Sequence, residues 1–133
     1  MAKEIIRCEI KTDELVYGSD PNKQNPNDLF NMSVLESVKK IGVIEPLVVL
    51  NLRNGLIVRT GNTRLWAARK CGIDKLDCIV VTLERDVGKS KKINGRKINN
   101  IQSEFKYPIV WNEDKNFVSM KCTHFHINHS GVV

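Results

Sequence analysis

Long apolar runs are absent from this sequence. The longest continuous run, Pro46 to Leu50, has the length of a strand, whereas a membrane-spanning helix needs about 18–20 apolar residues. The N-terminus reads Met1-Ala2-Lys3-Glu4, and the apolar region of a secretory signal does not follow it. These absences predict a protein that is neither secreted nor inserted in a membrane, and we expect it in the cytoplasm.

Closely spaced cysteine pairs are also absent. The four cysteines are Cys8, Cys71, Cys78 and Cys122, with wide and uneven gaps and no Cys-x-x-Cys motif. This spacing argues against a zinc ribbon or a disulfide framework and predicts reduced thiols. Cys122, His124 and His126 alternate along a predicted strand and share one face, where neighbouring side chains lie about 7 Å apart. That separation poorly suits one metal ion, so we predict no metal site.

Positive charge is concentrated in the last third of the chain. The sequence has 21 Lys and Arg against 15 Asp and Glu, a net charge of +6. Residues 1–84 hold 12 basic and 11 acidic residues (net +1), whereas residues 85–133 hold 9 and 4 (net +5). This distribution predicts a polyanionic partner such as nucleic acid. A basic surface that only aids solubility is the plainer alternative.

The predicted elements indicate a small α/β (α+β) domain with a mixed sheet and a few short helices, spanning all 133 residues. An edge strand over Glu4–Ile10 precedes a turn-rich loop (17–28) and a helix over Ser33–Lys40, capped by Ser33 and closed by Gly42. The remaining elements are a buried strand Leu47–Leu50, an Asn54-Gly55 hairpin, a helix Leu65–Cys71, a strand Cys78–Leu83, a basic ribbon within residues 85–100, and a C-terminal strand pair within residues 105–128.

The turn between Val58 and Arg64 is the most informative local motif. Gly61 permits a sharp turn and close approach of a ligand to the backbone. The amides at the start of the following helix favour an anion. Asn62 and Thr63 can cap that helix or donate to phosphate oxygens, and Arg64 can form a bidentate, permanently charged contact. We therefore predict a phosphate or nucleotide site at Gly61, Asn62, Thr63 and Arg64; simple helix capping beside a solvated Arg64 is the alternative.

Residues 32–81 resemble the ParB/sulfiredoxin superfamily. The resemblance is carried by two boxes in the family's order: Glu36-Ser37-Val38-Lys39-Lys40-Ile41-Gly42-Val43-Ile44-Glu45-Pro46-Leu47-Val48-Val49 and Gly61-Asn62-Thr63-Arg64-Leu65-Trp66-Ala67-Ala68-Arg69-Lys70-Cys71-Gly72-Ile73. It implies a ParB/sulfiredoxin-like fold, as in ParB-like N-terminal or ParB-like nuclease domains, in a small stand-alone version of the kind found in phages and mobile elements. A phage-encoded protein would act in the host cytoplasm.

The departures from the family boxes limit what the resemblance implies. Asn62 and Thr63 replace the family's Glu and first Arg, and Glu45 replaces the Gln before the proline. Glu45 either orients a metal or water, or is a surface acid that happens to precede Pro46. Sulfiredoxins carry a reactive cysteine at the position of Asn62, so sulfiredoxin activity is not expected.

Two features of ParB clamps are missing or degraded after the second box. Asn99-Asn100-Ile101-Gln102-Ser103 resembles the family's downstream phosphate motif only loosely, without its Glu and Arg, and coincidence explains it better. About fifty residues follow the match, and they read as strands where ParB continues into a helix-turn-helix domain. We therefore do not expect a complete chromosome-partition clamp.

The second candidate site is the basic ribbon, predicted to turn at Asn94-Gly95 and to protrude from the domain. Its cations are Lys89, Lys91, Lys92, Arg96 and Lys97, and a ribbon of this kind fits along a phosphate backbone. A solvated loop is the alternative. Phe105, Tyr107 and Trp111 follow and either stack on bases or belong to the core.

Together these features predict a ParB-like nucleic-acid-binding protein that uses the Gly-x-x-Arg pocket and the basic ribbon. If it is a metal-dependent nuclease, Glu45 and Arg64 are the catalytic candidates and Mg²⁺ or Mn²⁺ the cofactor. Two alternatives remain: a switch that binds a CTP-like nucleotide and signals to a protein partner, and a catalytically inactive phage protein that acts on a protein partner.

Overall fold

The structure is a computed structural model that describes residues 2–19, 28–106, 109–112 and 117–120. Its strands are β1 (Ala2–Lys11), β2 (Leu15–Tyr17), β3 (Leu47–Leu52), β4 (Gly55–Thr60), β5 (Lys75–Leu83), β6 (Arg96–Lys97), β7 (Ile109–Asn112) and β8 (Phe117–Met120). The helices are α1 (Leu29–Ile41) and α2 (Asn62–Lys70). Short 3₁₀ turns follow β1, β5 and the basic segment, the name used below for residues 85–100.

Six strands form one mixed sheet in the order β2-β4-β3-β5-β1-β6. β3 runs parallel to β5 and β2 parallel to β4, whereas the other neighbouring strands are antiparallel. β7 and β8 pair with each other as a separate antiparallel hairpin. This architecture confirms the mixed α+β class predicted from the sequence.

The two central strands, β3 and β5, are buried on both faces of the sheet, which explains their continuous apolar runs. Val49 and Val80 belong to a core beneath α2, and Val48 and Ile79 belong to a second core on the opposite face. That second face is covered by the 3₁₀ turn Ile101–Glu104 and the buried Phe105. The predicted strands at Leu47–Leu50 and Cys78–Leu83 and the β3–β4 hairpin are confirmed, each strand extending slightly further than predicted.

Helix α1 begins four residues before the predicted start. The side chain of Asp28 accepts hydrogen bonds from the backbone amides of Phe30 and Asn31 and so caps the helix, as an N-terminal carboxylate commonly does. Ser33 lies inside the first turns and donates to the Phe30 carbonyl. The Ser33 cap is therefore wrong, whereas the predicted end at Gly42 is confirmed by its positive φ of 75° and its bond to the Val38 carbonyl.

The basic segment does not form the predicted protruding ribbon. Asn94-Gly95 joins no pair of strands; instead Arg96–Lys97 pairs with β1, so β1 is not the edge strand that the sequence predicted. Ile93 is buried in the core beneath α2. Gly95 lies so close to β1 that a Cβ there would sit 2.6 Å from the Arg7 carbonyl oxygen. Burial of Ile93 and pairing with β1 thus override the local turn signal.

Several other predictions concern the C-terminal region and the loop after β2. β7 and β8 confirm a C-terminal strand pair, and Phe105 is a core residue. Tyr107, Cys122, His124 and His126 lie outside the described residues, as does most of the predicted 17–28 loop. In the described part of the chain, no helix is long and apolar enough to cross a membrane.

Candidate functional site

The first candidate site is the turn that joins β4 to α2. Gly61 is the N-cap of α2 and has a φ of 108°, a value that only glycine adopts readily. A Cβ on Gly61 would lie 2.7 Å from Leu47 Cγ and 3.1 Å from Arg64 Nη2. The turn is therefore closed tightly against the start of β3, and close approach requires glycine here.

Arg64 lies beneath this turn and is only 4% exposed. Its Nη1 donates to the carbonyl oxygens of Glu45 at 2.7 Å and Pro46 at 3.2 Å. Burial lowers the pKa of Arg64 to about 10, against the opposing effect of the nearby Glu45 carboxylate. The structure thus shows Arg64 holding the backbone that leads into β3, whereas the sequence interpretation placed its guanidinium on a ligand phosphate.

Glu45 is also buried, with 6% exposure. The alternative that Glu45 is a surface acid is therefore wrong. The structure brings Glu45 and Arg64 together: the guanidinium of Arg64 bonds the Glu45 backbone carbonyl, and its positive charge lies near the Glu45 carboxylate. Within the described residues, no three His, Cys, Asp or Glu side chains group closely enough to hold a metal ion. A fixed guanidinium charge near the carboxylate repels a divalent cation, which disfavours Mg²⁺ or Mn²⁺ at Glu45.

The polar residues at the start of α2, Asn62 and Thr63, both have partners within the fold. Asn62 Oδ1 accepts from the Gly18 amide at 2.9 Å, and its Nδ2 donates to the Val58 carbonyl at 3.2 Å. Asn62 therefore ties the end of β2 to β4 and is occupied by the fold. Thr63 is half-buried and also has a polar partner. No side chain caps α2 at Gly61, so the positive end of the helix dipole lies at this turn.

The cations of the basic segment fall into two groups. Lys91 Nζ lies 2.6 Å from Glu14, and Arg96 Nη2 lies 2.5 Å from Glu104. Lys97 Nζ lies 3.8 Å from Glu4, beyond hydrogen-bonding distance. Lys89 and Lys92 are exposed and form no ion pair with any residue that the structure describes. Lys89, Lys92 and Lys97 therefore remain available to an anionic ligand.

The two candidate sites lie against different strands of the sheet. Gly61 contacts Leu47 at the start of β3, whereas Arg96–Lys97 of the basic segment pair with β1. The basic segment follows the outer side of β1, from a groove shared with Lys75 to one shared with Thr82. In the order β3-β5-β1-β6, three inter-strand spacings separate β3 from β6, about 14 Å. The structure therefore does not bring the two predicted sites together.

Sequence reasoning missed an ion cluster that holds the 3₁₀ turn Ile101–Glu104 on the sheet. Arg7 on β1 donates to Asp77 on β5 and, at 2.8 Å, to Glu104, which also accepts from Arg96. Hydrogen bonds from Arg96 and Arg7 lower the pKa of Glu104 to about 2. These residues are 97 positions apart at most, so no local spacing could have revealed the cluster.

A second missed residue is Arg69, near the end of α2. Its Nη2 donates to the carbonyls of Thr12 at 2.9 Å and Leu15 at 2.6 Å, and its guanidinium lies 4.8 Å from the centre of the Tyr17 ring. Arg69 therefore joins α2 to the β1–β2 connection. Its place in the second family box was visible in the sequence, but its partners were not.

Comparisons with known proteins give structural matches only. No protein-family model matches the chain, and no curated protein matches it. The C-terminally truncated chromosome-partitioning protein ParB from Caulobacter crescentus, complexed with CTP-gamma-S, is 19% identical over 61% of this chain, with a TM-score of 0.49. A Pnob8-like ParB-N domain is 20% identical over 62% (TM-score 0.47), and a sulfiredoxin from Arabidopsis thaliana is 18% identical over 56% (TM-score 0.46).

The matches differ in how much of the other chain they cover. This chain spans 47% and 33% of the two ParB chains and 83% of the sulfiredoxin.

Proposed function

We propose that this chain is a nucleic-acid-binding protein and that the basic segment is its contact surface. The observation that carries the proposal is the local charge. The basic segment holds six basic residues and one acidic residue, a net charge of +5, and its residues Arg96–Lys97 form the edge strand β6. Cations gathered on one edge suit a polyanionic backbone, because each phosphate contact releases counterions.

The geometry of the basic segment supports binding without large rearrangement. The Lys91–Glu14 and Arg96–Glu104 ion pairs fix two points of the segment against the sheet. Lys89, Lys92 and Lys97 are exposed around those points. Exposed lysines on a fixed backbone can meet successive phosphates, and such contacts position a protein on nucleic acid without reading its sequence. We therefore expect salt-sensitive binding with little sequence preference.

The resemblance also implies a metal-dependent nuclease with Glu45 and Arg64 as catalytic residues. The described surroundings of Glu45 disfavour a divalent ion, because the Arg64 guanidinium lies nearby and no three His, Cys, Asp or Glu side chains group together among the described residues. Our proposal is therefore binding without cleavage.

A second candidate function is binding of a CTP-like nucleotide at the start of α2. The supporting observation is the tight glycine turn, which leaves the first turn of a nine-residue helix without a side-chain cap. Backbone amides at such a position attract phosphate. In this reading the chain is a switch that signals to a protein partner, and the basic segment contributes to the partner surface.

The test measures fluorescence anisotropy of labelled single-stranded and duplex DNA at low and moderate salt, with and without Mg²⁺ or Mn²⁺. The variant Lys89→Gln/Lys92→Gln/Lys97→Gln removes the three available cations. Lys39→Gln/Lys40→Gln on α1 is the control for lysine removal at another surface.

We expect wild type and control to bind with a steep salt dependence. For single strands the triple variant should flatten the log–log slope by about 2, at about 0.7 per lost phosphate contact. The labelled strand should keep its full length in every sample, with or without the metal ion. Absence of any salt-sensitive binding by wild type would overturn the nucleic-acid proposal, and saturable binding of CTP would then favour the second candidate. Metal-dependent shortening of the labelled strand would refute the proposal that the protein binds without cleavage.

A further inference from the structure

A cleft of about 540 Å³ lies between β1 and the basic segment. This volume falls within the range of about 300–1,000 Å³ that small-ligand sites occupy. Its lining residues are Glu4, Ile5, Thr82, Val87, Gly88, Ser90, Lys91, Lys92, Lys97, Ile98 and Asn99. The cleft is distinct from the Gly61 turn, because none of its lining residues belongs to β3, β4 or α2.

The floor of the cleft is apolar. Ile5 and Ile98 are half-buried and pack on the core that Phe105 covers. Val87, in the turn after β5, is 49% exposed although it is apolar. These three side chains form a flat hydrophobic surface that water covers in the free protein. An apolar ligand surface placed there would release that water.

The rim of the cleft is cationic and only partly neutralised. The ammonium group of Lys91 is bonded to Glu14 at 2.6 Å. Lys92 is exposed and lacks an ion pair in the described part of the chain, and the 3.8 Å between Lys97 and Glu4 leaves Lys97 free to take a better partner. The amide of Asn99 adds both a donor and an acceptor at the same rim.

We propose that this cleft binds one unpaired nucleotide of a single-stranded nucleic acid. The phosphate contacts Lys92 and Lys97, and the base covers Ile5, Val87 and Ile98. A base within a duplex is stacked and paired and cannot reach an apolar floor, whereas an unpaired base has a free face. This inference rests on the proposed nucleic-acid function and specifies the form of the ligand.

The test separates base contacts from phosphate contacts. Two labelled twelve-residue strands are compared by anisotropy: oligothymidine, and an abasic strand that has the same phosphates and no bases. Variants are Val87→Ser, which removes apolar surface from an exposed position, and Lys92→Gln/Lys97→Gln. Lys39→Gln/Lys40→Gln is again the charge control. Duplex DNA and thymidine monophosphate are measured in the same buffer, and thermal melts confirm that every variant folds.

We expect wild type to bind oligothymidine about fivefold more tightly than the abasic strand, the effect of covering a few tens of Å² of apolar floor. Val87→Ser should reduce that preference to about twofold or less. The Lys92/Lys97 double variant should flatten the salt slope of both strands by about 1.4.

The possible failures are distinguishable. If wild type binds no nucleic acid, the proposed function fails and the inference fails with it. If wild type binds DNA but shows no preference for bases, or Val87→Ser keeps the full preference, the cleft assignment alone is overturned. If thymidine monophosphate binds as tightly as oligothymidine, the cleft binds a free nucleotide. That result would overturn the assignment of the cleft to a single strand.

Discussion

The burial of Arg64 predicts that this residue stabilises the fold, and Arg64→Met tests it. Methionine preserves length and apolar bulk but removes the guanidinium. The two backbone carbonyls of Glu45 and Pro46 then lose their donor, and the buried Glu45 side chain loses the positive charge beside it. We expect the start of β3 to loosen and the free energy of unfolding to fall.

The magnitude follows from the contacts that are lost. Hydrogen bonds from a charged donor contribute about 1.5–3 kcal/mol each, and leaving a buried charge without its partner costs about 3–5 kcal/mol. These contributions overlap, and relief of the buried guanidinium's desolvation offsets part of them. We expect a net loss of about 3 kcal/mol for Arg64→Met. Arg64→Lys should lose about half of that, because it retains the charge but not the planar fork.

Urea unfolding followed by tryptophan fluorescence measures these losses, because Trp66 on α2 is buried against α1. The control is Arg59→Met, an exposed arginine on β4 for which we expect less than about 0.5 kcal/mol. Adding Glu45→Gln to Arg64→Met should recover part of the loss, because the unpaired charge is then removed. A loss for Arg64→Met no larger than that of the control would refute the structural role assigned to Arg64.

The remaining predictions concern pH and backbone conformation. The pKa of Glu104 is about 2 in the folded protein, below its usual 4.5, so its contribution to stability is complete above about pH 5 and disappears as the pH falls toward 2. Unfolding curves of wild type and Glu104→Gln should therefore converge between pH 4.5 and 2; a constant difference would contradict this. Gly61→Ala should lower stability by about 3 kcal/mol, from left-handed backbone strain and overpacking. Gly72→Ala, just after α2 and also at a positive φ of 72°, should lose only about 1 kcal/mol from backbone strain, because nothing lies within 4 Å of its Cβ position; equal losses in thermal melts would contradict the close approach at Gly61.

Elements defined by local signals could be predicted from the sequence. The apolar runs of β3 and β5 and the glycine turn before α2 are such signals, and the structure has all of them. The start of α1 was misplaced because Ser33 and Asp28 are both good caps, and sequence alone does not show which is used. The prediction for the basic segment failed for a different reason: the Asn94-Gly95 turn signal competed with burial of Ile93 and with pairing of Arg96–Lys97 to β1, which lies far away in sequence.

The candidate site was predictable in position but not in its contacts. The local turn signal placed Gly61 before a helix, and the family resemblance implied that Glu45 lies near the Gly-x-x-Arg turn. In the structure Gly61 is the N-cap of α2, and the Glu45 carbonyl bonds Arg64. The direction of the Arg64 guanidinium depends on the β3 backbone, which approaches only in the folded chain. Separation of the basic segment from the Gly61 turn likewise follows from strand order, which no spacing in the sequence reveals.

The short outer strands of the six-stranded sheet have a consequence for self-association. β2 contributes three residues at one edge and β6 only two at the other. Beyond β6, residues 91–94 line a groove beside the outer side of β1 and bring two lysines to it. Long, flat strand edges are templates on which further chains add as strands, whereas short edges guarded by lysine resist such addition. Lys92, one of the lysines proposed above to contact a polyanion, therefore also helps to keep this sheet from adding further strands.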